Sequence, residues 1–82
     1  MEEKIAMISI AITNREESFE KVNKILHDFG DNILLRVGYP MKEENIAIIF
    51  IIFKSNTDLI GALNGKLGQV SGVKVKSHIL KY

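Results

Sequence analysis

Few side chains in this 82-residue sequence have the types and spacing needed for chemistry. There are two histidines, His27 and His78, and no cysteine, which excludes disulfides, thiolate catalysis, iron–sulfur ligation and cysteine-rich zinc sites. His27 shares the polar face of a predicted helix with charged residues, and His78 lies beside lysines on a predicted edge strand. Because a zinc site needs three or four converging ligands, we expect no metal site within one chain and no cofactor.

No arrangement of nucleophile and base indicates catalysis. The sequence has neither a glycine-rich phosphate loop nor a nucleophile elbow, and Ser9 lies inside a predicted strand. The acidic pairs Glu16 with Glu17 and Glu43 with Glu44 fall at a helix start and in a turn, where carboxylates are usually solvated. We therefore predict that the protein is not an enzyme and has no catalytic residues.

Three glycines in the second predicted helix are spaced so that they lie on one face. Gly61, Gly65 and Gly68 follow one another at intervals of four and three residues. A glycine inside a helix costs about 1 kcal/mol relative to alanine. Gly68 is explained by the helix terminus, whereas Gly61 and Gly65 predict the close approach of another backbone or of a ligand.

Hydrophobic periodicity predicts that four strands and two helices position these residues. Strands are predicted over residues 4–12, 32–39, 46–53 and 73–80. The first helix is predicted to begin at Asn14, with Glu17 completing a variant capping box, and to end at Gly30 in a left-handed conformation. The second begins within residues 55–58 and ends near Gly68. This order predicts a single α+β domain over residues 1–82 with the ferredoxin-like β-α-β-β-α-β fold: a four-stranded antiparallel sheet, two helices on one face, and the first and third strands at the centre.

The third predicted strand contains eight consecutive apolar residues, 46–53, which indicates burial on both faces of the sheet. A domain this small covers one sheet face with its own helices, so the other face is predicted to meet another copy of the chain in a dimer or tetramer. Ile48 and Phe50 are the predicted interface residues on this strand. Arg36 interrupts the second strand, and it either reaches water at a sheet edge or meets an acid across an interface.

Charge and hydropathy argue against two classes of partner. The net charge of +1 gives no Lys/Arg excess for phosphate contacts, and Phe50 and Phe53 are predicted on opposite sheet faces, unlike the stacked aromatics of RNA-binding sheets. The apolar run is too short to span a bilayer. Since no signal peptide is visible, we expect a cytoplasmic protein that binds neither nucleic acid nor membrane.

A combination of residues spread over most of the chain is shared with a known family. It comprises Asn14-Arg15, Val22-Asn23-Lys24-Ile25-Leu26-His27, Gly30-Asp31, Ile33, Arg36, Gly38, Pro40, Leu63, Gly65-Lys66-Leu67-Gly68 and Gly72-Val73. In these residues the sequence resembles the iron-only hydrogenase system regulators, small ACT-like proteins related to the C-terminal domain of nickel-responsive regulators. The resemblance implies a regulatory or sensory module that assembles as a dimer or tetramer, with a link to hydrogenase maturation or expression.

Differences from the wider relatives limit what the resemblance implies. Nickel regulators bind metal through histidine and cysteine and carry an N-terminal DNA-binding segment, and this sequence has neither the cysteine nor that segment. ACT domains that sense amino acids hold the ligand at a subunit interface near the first strand-to-helix loop. The equivalent loop here contains Asn14 and Arg15, which are therefore the implied ligand-binding residues.

The leading hypothesis is a non-enzymatic, homo-oligomeric, ACT-like regulatory module that responds to a small molecule and has a protein partner in a hydrogenase system. The main alternative is a metal-binding sensor whose site forms when two copies of His78 meet across an interface. An RNA-binding domain is the third hypothesis.

Overall fold

A computed structural model describes residues 2–81 as a four-stranded antiparallel sheet with two helices on one face. The elements are β1 (Lys4–Ile12), α1 (Arg15–Asp28), β2 (Ile33–Met41), β3 (Ile46–Ser55), α2 (Thr57–Gly68) and β4 (Val73–Leu80), with short 3₁₀ turns at Gly30–Asn32 and Lys42–Glu44. The strand order β2-β3-β1-β4 confirms the ferredoxin-like prediction, with β1 and β3 at the centre. Within residues 2–81, neither helix has both the length and the apolar character to cross a bilayer.

The core lies between the helices and one face of the sheet. Alternate residues of the central strands are buried there: Ala6, Ile8, Ile10 and Ile12 on β1, and Ala47, Ile49, Ile51 and Phe53 on β3. The helices contribute Val22, Leu26, Ile60, Leu63 and Leu67. Because side chains alternate along a strand, every second residue of β1 and β3 points away from the helices. Phe53 is buried while Phe50 lies on the opposite face, as the sequence predicted.

Two local predictions about the first helix are wrong. The helix ends at Asp28, and Gly30 begins a 3₁₀ turn, so Gly30 is not a left-handed cap. Asn14 occupies the N-cap position, but its side chain accepts no hydrogen bond from a backbone amide of the helix. Instead, its Nδ2 donates to the carboxylate of Glu17 at 3.2 Å. At the second helix the predicted start is confirmed, since Asn56 Oδ1 accepts the Leu59 amide at 2.8 Å.

Candidate functional site

The sheet face turned away from the helices, called here the open face, is apolar on the side of β2 and β3. Directly opposed residues of two antiparallel strands share a face. The register places Leu35 opposite Ile52, Val37 opposite Phe50, and Tyr39 opposite Ile48. Val37 and Tyr39 are 53% and 67% exposed, and the predicted interface residues Ile48 and Phe50 are 43% and 37% exposed. This half of the open face therefore presents a row of large apolar side chains to solvent.

The other half of the open face is polar and basic. Lys74 and Lys76 of β4 lie opposite Ala11 and Ser9 of β1, and His78 lies opposite Met7. A shallow cavity of about 480 Å³ at the junction of the two halves is lined by Ser9, Ile48, Lys74 and Lys76, among others. No group of three His, Asp or Glu side chains with metal-ligand geometry occurs between residues 2 and 81. His27, the other histidine, is exposed near the end of α1.

Arg36 lies on the helix side of the sheet, not on the open face with Ile48 and Phe50. It is opposite the buried Ile51, and its Nη2 donates to Asn23 Oδ1 on α1 at 2.7 Å. The side chain is exposed on an edge strand, and its contact with an acid across an interface stays a prediction. Arg36 therefore projects from a different face of the sheet than Ile48 and Phe50, the other two residues predicted for the interface.

Arg36 and Arg15 line the same cavity between the start of α1 and strands β2 and β3, called here the α1/β2 cavity. Its volume is about 240 Å³, and its walls are Arg15, Phe19, Arg36, Gly38, Tyr39, Pro40, Ala47, Ile48 and Ile49. The Arg15 guanidinium lies over the Phe19 ring, 5.4 Å from the centroid. Arg15 Nε is buried and has no hydrogen-bond partner in the part of the chain that the structure describes. Two cationic groups thus border one small, largely apolar space.

Asn45 caps the first helix from a distant loop, a role that the sequence analysis missed. Its backbone oxygen accepts the Arg15 amide at 2.9 Å, and its Oδ1 accepts the Glu16 amide at 3.0 Å. Asn45 has a φ of 58°, a left-handed conformation that asparagine tolerates better than most residues. The backbone oxygen of Asn14 accepts hydrogen bonds from the Glu17 and Ser18 amides, at 3.0 Å each. All four first-turn amides are therefore occupied, and they are not available to a ligand.

Asn14, a predicted ligand-binding residue, packs against the loop that precedes β4. The Thr13 amide and hydroxyl both donate to the Gly72 oxygen at 2.8 Å, and the buried Ser18 hydroxyl donates to the Ser71 oxygen at 2.7 Å. Gly72 has a φ of +74°, and a Cβ added there would lie 2.6 Å from Asn14 Cγ. The structure thus gives Asn14 a packing role at this corner, and it does not line the α1/β2 cavity with Arg15.

Gly61 and Gly65 lie on the exposed surface of α2. A Cβ added at either position meets nothing within 4 Å in the described part of the chain. The close approach predicted from their spacing is therefore not made by this chain, and contact with a ligand or a second copy stays a prediction. Neither glycine lines the α1/β2 cavity, so of the four predicted ligand-binding residues only Arg15 does.

Comparison with known proteins gives the family. A family model described as TM1266-like, with a provisional role as iron-only hydrogenase system regulator, matches residues 4–77. The chain belongs to the TM1266-like family. The structure of TM1266 from Thermotoga maritima, an uncharacterized protein, has 52% sequence identity and a TM-score of 0.92, over 98% of this chain and 100% of that one. No curated protein matches the chain.

More distant structures confirm the ACT-like fold of this TM1266-like protein. The ACT domain of GTP pyrophosphokinase from Chlorobium tepidum is 25% identical with a TM-score of 0.75, covering 96% of this chain and 100% of that domain. A nitrogen regulatory PII-like protein from Thiomonas intermedia, bound to ADP, AMP and bicarbonate, is 16% identical with a TM-score of 0.54, over 99% of this chain and 96% of that one. At that identity, the second comparison shows the fold alone.

Proposed function

We propose that this protein is a non-enzymatic, homo-oligomeric regulatory module that responds to a small molecule and acts through a protein partner in an iron-only hydrogenase system. Its membership of the TM1266-like family supports the regulatory role and the link to hydrogenase. The similarity to an ACT domain supports a module without catalysis. The observation that carries the proposal is the apolar half of the open face.

Exposed apolar residues on β2 and β3 support the homo-oligomer. Val37, Tyr39, Ile48 and Phe50 are neighbours in the sheet register, and each leaves more than a third of its surface exposed. Monomeric soluble proteins rarely expose a contiguous apolar surface of this kind unless it binds something. Since most soluble oligomers are homo-oligomers, a second copy of the chain is the proposed partner.

Light scattering over a dilution series tests the assembly. We expect the mass of a dimer or tetramer at micromolar protein. A single species with the mass of one chain at that concentration would contradict the homo-oligomer.

Genetic complementation tests the regulatory role. In a host with an iron-only hydrogenase, we expect loss of the gene to change hydrogenase activity and the wild-type gene to restore it. A Phe50→Lys variant, which places a charge in the apolar half of the open face, should restore activity less well. Unchanged hydrogenase activity in the deletion strain would contradict the regulatory role.

A metal-sensing function is the second candidate, because His78 lies on the same open face as the proposed interface. Two copies that cover this face would bring additional side chains towards His78, although one chain supplies too few ligands. Nickel or zinc added at one equivalent separates the two functions by calorimetry and thermal melting. We expect no change in melting temperature, whereas a large rise that is lost in His78→Asn would favour the metal sensor.

A further inference from the structure

We infer that the α1/β2 cavity binds a small molecule with an oxyanion group, a carboxylate or a phosphate, and a compact apolar body. The inference rests on the proposed response to a small molecule and names the chemistry of that molecule. Arg15 and Arg36 hold the oxyanion, and the apolar body lies against Phe19, Tyr39 and Ile48.

The charges around the cavity are not neutralised within the chain. Over residues 2–81, no carboxylate lies within 4.0 Å of Arg15 or Arg36, while ion pairs are formed by Lys4, Lys24 and Lys54. The hydrogen bond from Arg36 to Asn23 uses one of its five N–H groups. Guanidinium groups are suited to carboxylates and phosphates because their N–H donors form a planar fork. Two such groups on one cavity therefore favour an anionic ligand.

Arg15 supplies an independent indication of a missing acceptor. Its Nε is buried without a partner, although buried polar groups in native proteins are almost always hydrogen-bonded. The stacking on Phe19 fixes the guanidinium on the cavity wall. The chain leaves the Nε donor unpaired, and the terminal Nη groups, which are neither buried nor hydrogen-bonded in the described chain, are the donors that a ligand oxygen in the cavity would meet.

The size and walls of the cavity define the rest of the ligand. At about 240 Å³ it is smaller than the ~300–1,000 Å³ typical of sites for drug-sized molecules. Apart from the arginines, its lining is apolar or aromatic. Beside Gly38 on the wall there is room for a side chain, because a Cβ added there would meet nothing within 4 Å. The ligand is therefore a small molecule with one charged end.

The position of the cavity connects binding to assembly. Tyr39 and Ile48 line the cavity and are also exposed on the apolar half of the open face. A ligand that contacts them changes the surface offered to a second copy. By thermodynamic linkage, the ligand's affinity and the association of the chains must then affect one another by the same factor.

Calorimetry with simple probes tests the inference on the full chain. Phenylacetate and phenyl phosphate are the anionic probes, and phenylacetamide is the neutral analogue of the first. We expect at least one anion to bind at millimolar concentration or below, and the amide to bind about ten-fold more weakly or not at all. The preference between the two anions separates a carboxylate ligand from a phosphate ligand.

Four variants locate the binding. Arg15→Gln and Arg36→Gln should each lower the affinity for the anion by about ten-fold or more. Gly38→Val should weaken binding while keeping both charges, because the new side chain takes up part of the cavity. Lys66→Gln removes the same charge from α2, outside the cavity, and should leave affinity within about two-fold. Circular dichroism confirms that each variant is folded.

Three results would overturn the inference: no anion binding to the folded protein at millimolar concentration, equal affinity for acid and amide, or affinity unchanged in both arginine variants. The oligomeric mass is measured in the same samples. An oligomer that binds no anion refutes the inference and leaves the assembly intact, whereas a monomer that binds the anion refutes the assembly alone.

Discussion

The two edge strands of the sheet, β2 and β4, carry opposite kinds of side chain on the open face. β4 presents Lys74, Lys76 and His78, whereas β2 presents Leu35, Val37 and Tyr39. Charged residues, especially lysine, are the common protection of an exposed strand edge against pairing with other chains. β4 is protected in this way and β2 is not. This difference is the one that the proposed assembly requires, with a partner covering the β2 side.

The same two sides differ in how they are joined to the helices. On the β4 side, Thr13 after β1 and Ser18 of α1 donate hydrogen bonds to the Gly72 and Ser71 oxygens. The Ser77 hydroxyl donates to Asn64 Oδ1 of α2 at 2.7 Å. On the β2 side, Arg36 bonds to Asn23, and beside it lies the α1/β2 cavity. The β4 side is therefore closed by the chain itself, and the β2 side leaves both a surface and a cavity for other molecules.

Charges introduced on β2 should produce the largest effect. In Leu35→Lys/Val37→Lys, two ammonium groups replace apolar side chains opposite Ile52 and Phe50. We expect association to weaken by about 100-fold or more, because a charge buried at an interface without a partner is strongly unfavourable. Sedimentation or light scattering measures this change, and circular dichroism should show an intact fold.

The matched control changes two charges on β4. Lys74→Gln/Lys76→Gln should leave the oligomeric mass unchanged, since this edge is not the proposed contact. If the β4 pair dissociates the oligomer and the β2 pair does not, the assignment of the two edges is reversed.

A substitution at Gly72 should disrupt the closed side and leave the open side unaffected. Gly72→Ala forces an L-residue into a φ of +74° and places its Cβ against the Asn14 side chain. We expect a loss of about 2–3 kcal/mol in the free energy of unfolding, measured in urea, without loss of oligomeric mass. Asn14→Ala in the same chain should recover the steric part only. A Gly72→Ala protein as stable as the wild type would show that this corner is not strained.

The sequence was sufficient for the fold because the signals that define it are local. Alternation in β1 and the helical spacing of Val22 and Leu26 follow directly from residue order, and the structure confirms them. The caps were harder to predict. Asn14 was expected to cap its own helix, but the Glu16 amide is taken by Asn45, which is distant in sequence and carries only the weak signal of an asparagine before an apolar strand.

The candidate site could be predicted only in part, for the same reason. Arg15 and Arg36 were each noted in the sequence, but no periodicity indicates that a helix start and an edge strand border one cavity. That relation depends on the packing of α1 against the sheet. The glycines of α2 gave an incomplete signal, since regular spacing shows that residues share a face and does not show what that face contacts.

Asn45 links the turn after β2 to the start of α1, and its replacement should have a smaller effect than that of Gly72. Asn45→Ala removes the acceptor of the Glu16 amide and puts alanine in a left-handed conformation, so we expect a loss of about 1–2 kcal/mol in unfolding free energy. Asn45→Gly keeps the conformation accessible and loses only the acceptor, and it should recover part of the loss. Equal stability of the two variants would show that the left-handed conformation costs alanine little at this position, because both variants lack the acceptor.

The smallest expected effect is at Gly65, and it tests whether any partner contacts the helix layer. A Cβ at this position meets nothing within 4 Å in the described chain, and α2 lies on the side of the sheet away from the open face. If partners bind only the β2 side, Gly65→Ala should raise the unfolding free energy by a few tenths to about 1 kcal/mol, because helix propensity is the only term that changes. This reverses the sign expected from the glycine spacing alone. Gly65→Leu should also keep the oligomeric mass. If alanine is neutral or destabilising and leucine lowers the mass, a second backbone or a ligand packs against α2, and the open face is not the only surface that the assembly uses.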